Sequence, residues 1–235
     1  MLIYLDLETT GLEESDRICS LAIVFNDEGR WDSKEGLVKP PRKIRPEAMA
    51  VHHITNEMVK EAPSFENSEI AAFLNEHNSV DNTLVAHNIS FDLSMLAKEG
   101  FVWQGGIIDT LKCSKHLIDE IDRFSLQYLR YELGLYRSEA KEAGKLGIQM
   151  RAHNALSDAF HVMLLHRYLN AMADDRKLQE LSVEPVLIKR LNFGKYKDHY
   201  LEEVAMNDAA YLRWMLEQYI DEDLQYSIKH YLETV

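Results

Sequence analysis

Cysteine is scarce in this 235-residue sequence, which contains only Cys19 and Cys113. Two thiols cannot build a disulfide framework or a four-cysteine zinc cluster, so both of these classes are excluded. Proline and glycine are also few, at 5 and 10 residues, and this excludes collagenous and low-complexity chains. We therefore expect a globular protein of a reducing compartment, whose core is built from the 46% of residues that are hydrophobic.

The sequence contains no apolar run of the length that a membrane-spanning helix requires. Near its start, Asp6 and Glu8 interrupt the apolar stretch that a signal peptide would need. Basic residues are outnumbered, because 26 lysines and arginines face 39 aspartates and glutamates, for a net charge of -13. This balance argues against a protein that coats nucleic acid through its total charge, but not against an enzyme whose clustered acids hold cations. We expect a cytoplasmic protein that has no membrane partner.

Alternating side chains at the start of the chain predict a β-strand, with Ile3, Leu5 and Leu7 on one face. Residues 18–25 predict a second strand, and a turn leads into a third strand that ends near residue 38. Helices and short strands then alternate, with helices at 67–78, from near residue 91, at 126–134 and from about 154, and strands at 83–87 and 107–108. This order predicts an α/β fold with a mixed sheet.

A change of composition at residues 173–176 divides the chain into a predicted domain at 1–173 and a small module at 176–235. Within the module, residues 189–197 (KRLNFGKYK) contain four basic residues and no acidic one, with two aromatic residues between them. This mixture suits contact with a single nucleic-acid strand, and Lys195 and Lys197 are the candidate contacts. A small hairpin whose lysines face solvent would have the same pattern.

Asp6 and Glu8 stand two residues apart on the first predicted strand, so their carboxylates leave the same face. Neighbouring carboxylates repel each other unless a cation lies between them, and oxygen ligands favour Mg²⁺ or Mn²⁺. A D-x-E pair on a solvent-facing strand is nevertheless common without an ion. The small residues that follow, Thr9-Thr10-Gly11, favour a ligand site because they let a ligand approach the backbone.

Two further motifs contain acids. Asp92 stands in HNISFD directly after a predicted strand, where a carboxylate either caps a helix or joins a site. His153 and Asp158 stand in HNALSD, and a five-residue step on a helix separates two side chains by about 140°. They therefore converge only if His153 lies on a loop and Asp158 within the helix, which then begins at Asn154 or at residues 151–152.

In the order D-x-E, D and H-x4-D, these motifs resemble the DEDDh exonucleases, the DnaQ-like branch of the ribonuclease H-like fold. The matching segments are DLETTG at 6–11, HNISFD at 87–92 and HNALSD at 153–158, and the resemblance spans about residues 1–170. It implies a mixed five-stranded sheet flanked by helices. It also implies a 3′–5′ exonuclease that releases 5′-mononucleotides from the free 3′ end of a nucleic acid.

By this resemblance, Asp6, Glu8, Asp92 and Asp158 hold two divalent ions, Mg²⁺ or Mn²⁺, and His153 accepts a proton from the attacking water. The same resemblance implies a set of residues that bind the substrate, with Leu12 against the terminal base: Thr9, Thr10, Gly11, Leu12, His52, His87, Asn88 and Phe91. Phe91 is either one of these contacts or an ordinary core residue. His53 stands where the family has glycine, which leaves the backbone conformation there open.

Residues 192–199 (NFGKYKDH), followed by DAAYLRWML, resemble the C-terminal module of exodeoxyribonuclease X-type proteins. This likeness favours single-stranded DNA as the substrate. Two alternatives remain, an RNA-trimming exoribonuclease and a DNA polymerase III epsilon-like proofreading subunit that binds a polymerase through residues 176–235. The complete set of four acids and one histidine argues against an inactive binding module.

Overall fold

The structure is a computed structural model that describes residues 1–118, 121, 123–151 and 153–234. The chain forms two compact units, Met1–Ser182 and Val183–Val235. The strands and helices, numbered in chain order, are β1 (Leu2–Thr9), β2 (Ile18–Asp27), β3 (Arg30–Leu37), α1 (Pro46–His52), α2 (Glu69–Glu76), β4 (Thr83–Ala86), α3 (Ile89–Lys98), β5 (Gly106–Asp109), α4 (Thr110–Leu117), α5 (Leu126–Glu132), α6 (Tyr136–Leu146), α7 (Ala155–Asn170), α8 (Asp175–Val183), α9 (Leu201–Leu216) and α10 (Glu222–Thr234). Over the described ranges, every helix is too short or too polar to cross a bilayer.

The first unit is built on a five-stranded sheet in the order β3-β2-β1-β4-β5. Strands β1, β2 and β3 are antiparallel, whereas β4 pairs in parallel with both β1 and β5. The β2–β3 hairpin turns through Glu28 and Gly29, which both have positive φ, as the favoured two-residue turns require. The predicted mixed five-stranded sheet flanked by helices is confirmed.

The two faces of β1 have different chemistry. Ile3, Leu5 and Leu7 are buried in one core, together with side chains of α2 and α3. The opposite face packs against α7, where Tyr4 joins Phe160 in a second core. Helix α7 is buried along most of its length because it lies between the sheet and other helices. Polar side chains on this face of β1 therefore point towards α7.

The boundary between the two units lies later than the change of composition indicated. Leu178 and Leu181 of α8 are buried in the same core as α7, so this helix belongs almost entirely to the first unit. The second unit begins at Val183 rather than at residue 176. Residues 173–176 span the end of the turn between α7 and α8 and the start of α8. A short charged turn between two packed helices has the same composition as an interdomain linker, so composition did not distinguish them.

The second unit has its own core, which includes Leu191, Leu201, Leu212 and Ile228. Helix α9 begins at Leu201, eight residues before the AAYLRWMLEQY segment that we predicted to be helical. Asp208 interrupts α9 with non-helical dihedral angles, φ −148° and ψ 59°. The sequence therefore indicated only the part of this helix that follows the kink.

Candidate active site

Two carboxylates are placed together by the alternation of β1. Asp6 pairs with Ala22 of β2 and Glu8 pairs with Ser20, so the two acids occupy the same face of the sheet. That face is opposite Ile3, Leu5 and Leu7, as predicted. The pairing with β2 extends past both acids and fixes their positions, whereas the pairing with β4 covers only Leu2, Ile3 and Tyr4.

A third carboxylate comes from α7. The side chain of Asn154 accepts a hydrogen bond from the Ser157 amide and caps the helix, and Asp158 follows in its first turn. One carboxylate oxygen from each of Asp6, Glu8 and Asp158 lies within 4.8 Å of the others. Residues 152 positions apart in the chain thus form one cluster. The helix begins after Asn154, as one of our two alternatives stated, and the other alternative includes Ala152, which lies outside the described residues.

Asp92 lies beside this cluster. It is 5% exposed in the first turn of α3, and its charge acts on Asp6. Burial and the charges of Asp92, Asp158 and Glu8 raise the pKa of Asp6 well above its usual range. Burial also raises the pKa of Asp92, with a contribution from Asp109. Burial and Asp158 raise the pKa of Glu8 to about 8.

These residues fit a divalent metal centre. Across the part of the chain that the structure describes, no lysine or arginine forms an ion pair with Asp6, Glu8 or Asp92. Their mutual repulsion is therefore not balanced by a cationic side chain. Clustered carboxylate oxygens are the ligands that Mg²⁺ and Mn²⁺ prefer. A bound cation would offset the repulsion between these carboxylates, which contributes to the raised pKa values of Asp6 and Glu8.

Helix α5 contributes a contact to Asp158 that sequence reasoning missed. The Gln127 side-chain amide donates a hydrogen bond to Asp158 Oδ1 at 2.6 Å. His161, one turn further along α7, places Nδ1 3.3 Å from the same oxygen. Glu139 lies 3.4 Å from the other side of the His161 ring and forms an ion pair with Arg130 at 2.5 Å.

The i, i+3 spacing of Asp158 and His161 was a local signal for part of this network. No local signal pointed to Gln127, because it lies 31 residues from Asp158 in the chain.

His153 lies on the loop before α7, where we expected it. It is exposed and has a φ of +50°. Its ring centroid lies 6.3 Å from that of His53, with the planes nearly perpendicular. Both histidines line an open cleft of about 510 Å³, together with Glu35 and Asn154. His153 is outside the three-carboxylate cluster, on the wall of the adjacent cleft.

The loop after β1 is tightly braced. The Thr10 side chain is fully buried and donates a hydrogen bond to Asp16 Oδ1 at 2.7 Å, and Asp16 also pairs with Arg45 at 2.7 Å. A Cβ atom on Gly11 would lie 2.2 Å from Arg45 Nη2 and 2.5 Å from Asp16 Oδ2, so any side chain there would displace the Arg45–Asp16 ion pair. Leu12 is 83% exposed. Of the predicted contacts in this loop, Leu12 is open to a ligand, whereas the Thr10 side chain is engaged within the loop.

Thr9 and His52 form a second brace at the end of β1. The Thr9 hydroxyl donates to the Gly11 carbonyl oxygen at 2.7 Å. His52 accepts a hydrogen bond from the Ile54 amide through Nδ1, so Nε2 carries the proton and donates to the Thr9 carbonyl oxygen at 3.1 Å. Burial lowers the pKa of His52, which is 6% exposed. The next residue, His53, has a φ of +62°, a left-handed conformation that favours glycine.

The predicted contacts near Asp92 differ in exposure. His87 is turned inward, with Nε2 2.7 Å from the Phe124 carbonyl oxygen, and burial lowers its pKa. Asn88 is exposed, with a φ of +71°. Phe91 is half-buried and packs against the core beneath α3. Asn88 is therefore the most accessible of the three.

In the second unit, Lys195 and Lys197 are placed differently. The Lys195 ammonium forms an ion pair with Asp208 at 3.0 Å and lies 4.6 Å from the centre of the Tyr196 ring. Lys197 is exposed. Lys195 therefore has a role within the unit that its sequence context did not indicate.

Known protein families match parts of both units of the chain. The family described as Exonuclease matches residues 3–165, and the family described as Exodeoxyribonuclease X-like C-terminal matches residues 191–219. Exodeoxyribonuclease 10 of Escherichia coli (strain K12) is 31% identical over 243 aligned residues, covering 100% of both chains. A DNA polymerase III of PolC type from Staphylococcus haemolyticus (strain JCSC1435) is 32% identical over 141 residues, which are 57% of this chain and 10% of that polymerase.

Two solved structures share this fold over about three quarters of the chain. Exonuclease X in complex with 5′ overhanging duplex DNA matches with a TM-score of 0.60 and 28% identity, over 77% of this chain and 99% of that chain. The zinc-bound complex of E. coli exonuclease I with single-stranded DNA matches with a TM-score of 0.55 over 74% of this chain and 41% of that chain. At 16% identity, this second likeness concerns the fold alone.

Proposed function

Since the chain belongs to the DnaQ-like exonuclease family, we propose that it is a metal-dependent 3′–5′ exonuclease that releases 5′-mononucleotides from single-stranded DNA ends. The observation that carries the proposal is the convergence of Asp6, Glu8 and Asp158 within 4.8 Å, with Asp92 beside them. The name of the full-length relative, Exodeoxyribonuclease 10, supports DNA as the substrate. The likeness to exonuclease X, whose structure is a complex with 5′ overhanging duplex DNA, supports the same choice.

Asp6, Glu8, Asp92 and Asp158 would hold two divalent ions, Mg²⁺ or Mn²⁺. When bound, such ions supply positive charge at the scissile phosphate and lower the pKa of the attacking water. The carboxylates must be ionised to bind them, and binding should therefore release protons from groups with raised pKa values.

The other residues act on the water and the strand. The exposed His153 would accept a proton from the attacking water on an imidazole nitrogen. Water adds to phosphorus, and the bond to the 3′ oxygen of the penultimate nucleotide breaks as that oxygen takes up a proton. Gln127 orients Asp158 through its hydrogen bond, and Leu12 would pack against the terminal base.

The proposal is tested with 5′-labelled single-stranded DNA, single-stranded RNA and a DNA duplex with a 5′ overhang. Each is incubated with Mg²⁺, Mn²⁺ or EDTA and with wild type, Asp6→Ala or Asp32→Ala. Asp32 is the matched control because it is an exposed aspartate on β3 of the same sheet. We expect a metal-dependent ladder that shortens from the 3′ end with wild type and Asp32→Ala, strongest on single-stranded DNA.

A ladder of equal rate with Asp6→Ala, or one that persists in EDTA, would contradict the site assignment. Faster shortening of RNA would favour the exoribonuclease alternative. Faster shortening of the duplex would show that a recessed 3′ end is the preferred substrate.

A further inference from the structure

The second unit presents a closed loop, residues 189–200, which we call the basic hairpin. Its two ends are held together, because the Leu201 amide donates to the Lys189 carbonyl oxygen at 2.9 Å and the Leu191 amide donates to the His199 carbonyl oxygen at 3.1 Å. Leu191 and Leu201 are both buried at the base of the loop. The hairpin is thus anchored at its base, while most of its side chains are exposed.

The inner side of the basic hairpin is fixed to the kink in α9. The Tyr196 hydroxyl donates to Asp208 Oδ2 at 2.8 Å, and the Lys195 ammonium lies 3.0 Å from the same oxygen. Gly194 has a φ of +75°, and a Cβ there would lie 2.6 Å from the Tyr211 hydroxyl oxygen. Asp208, the residue with non-helical geometry in α9, is therefore also the residue that holds the inner side of the loop.

The outer side of the basic hairpin combines cations with aromatic rings. Phe193 is 46% exposed, and Lys197 is exposed four residues later. The Arg190 guanidinium lies 4.2 Å over the ring of Tyr200, which is 43% exposed. Residues 189–197 contain no acid, although the chain as a whole has a net charge of -13. The whole hairpin, residues 189–200, contains four basic residues and one acid, Asp198, so its formal charge is positive within an acidic protein.

We propose that the basic hairpin is a second binding site for single-stranded DNA, in which Phe193 stacks on a base and Lys197 and Arg190 contact phosphates. This inference rests on the proposed function, which supplies the polyanionic strand. Base stacking on an aromatic ring together with backbone charge binds single strands with little sequence preference. The structure also separates the roles of the two lysines, because Lys195 maintains the loop and Lys197 faces outward.

The test measures binding of a fluorescein-labelled single-stranded oligothymidylate by the full chain in EDTA, over a range of NaCl concentrations. Phe193→Ala should weaken binding by about 5- to 150-fold, as expected for loss of one stacked base. Lys197→Ala should reduce the slope of log K against log salt by about 0.7, as expected for one lost phosphate contact on a single strand. The matched controls are Tyr219→Ala, a fully exposed aromatic residue outside the hairpin, and Lys229→Ala, an exposed lysine on α10.

Both control variants should bind the oligothymidylate like wild type, and all four should keep the wild-type melting temperature. The inference is overturned if Phe193→Ala and Lys197→Ala bind as tightly as wild type with an unchanged salt slope. It is also overturned if Tyr219→Ala and Lys229→Ala weaken binding equally. Failure of the proposed function would look different, because wild type would then not shorten single-stranded DNA in Mg²⁺ or Mn²⁺, whatever its binding in EDTA.

Discussion

Replacing Glu8 with Gln should stabilise the metal-free protein at neutral pH while it removes a metal ligand. Burial and the charge of Asp158 raise the pKa of Glu8 from its usual 4.5 to about 8 in the folded state. The folded protein therefore binds this proton more tightly than the unfolded chain. The contribution of the Glu8 side chain to folding stability is complete below pH 4.5 and is lost as the pH rises towards 8. Glutamine is uncharged and escapes this loss.

The size of this stability difference follows from the gap between the pH of the experiment and 4.5, the usual pKa of glutamate. At about pH 7 the gap is about 2.5 pKa units, which corresponds to about 3 kcal/mol at 1.36 kcal/mol per unit. For a chain of this size, that difference corresponds to a melting temperature about 6–12 °C higher for Glu8→Gln than for wild type. At about pH 5 the difference should fall below about 1 kcal/mol.

Thermal unfolding in EDTA at both pH values, followed by addition of Mg²⁺, measures these differences. Mg²⁺ should raise the melting temperature of wild type more than that of Glu8→Gln, because only wild type has the complete ligand set. Glu76→Gln, an exposed change on α2, should match wild type throughout. The reasoning is refuted if Glu8→Gln is no more stable than wild type in EDTA at neutral pH, or if its advantage does not depend on pH.

Three other substitutions test separate parts of the site. Gln127→Ala removes the hydrogen bond to Asp158. It should raise the Mg²⁺ concentration that gives the half-maximal rate by about 10- to 100-fold. Gly11→Ala places a Cβ 2.2 Å from the Arg45 guanidinium and should destabilise the protein by about 1–3 kcal/mol in urea unfolding. His153→Ala should lower kcat by about 10²- to 10⁴-fold and leave the Mg²⁺-induced rise in melting temperature unchanged.

Each of these substitutions has a control or a contradictory outcome. Gln104→Ala changes an exposed glutamine and should keep the wild-type response to Mg²⁺. Gly144→Ala adds a Cβ within α6 that meets no atom within 4 Å, so it should stabilise the protein by about 0.5–1 kcal/mol. If Gly11→Ala were equally harmless, the loop would not depend on the close approach of Arg45. A loss of the Mg²⁺-induced shift in His153→Ala would place this residue among the metal ligands.

Local periodicity accounts for the parts of the fold that were predicted correctly. The alternation of Ile3, Leu5 and Leu7 with Asp6 and Glu8 determines both the strand and the face on which the two acids lie. The five-residue step from His153 to Asp158 required a loop followed by a helix, and α7 begins between them. Such features depend on neighbours within one or two turns, which the sequence displays directly.

The chain alone determined that this protein has a mixed sheet, a shared face for Asp6 and Glu8, and an ordered set of exonuclease motifs. Only the tertiary structure decided that Gln127 holds Asp158, that Thr10 turns inward to Asp16, and that the first unit extends through α8. These outcomes depend on which surfaces pack together across long stretches of chain. Strand and helix periods repeat every few residues and are therefore visible in a sequence, whereas contacts between distant segments have no period.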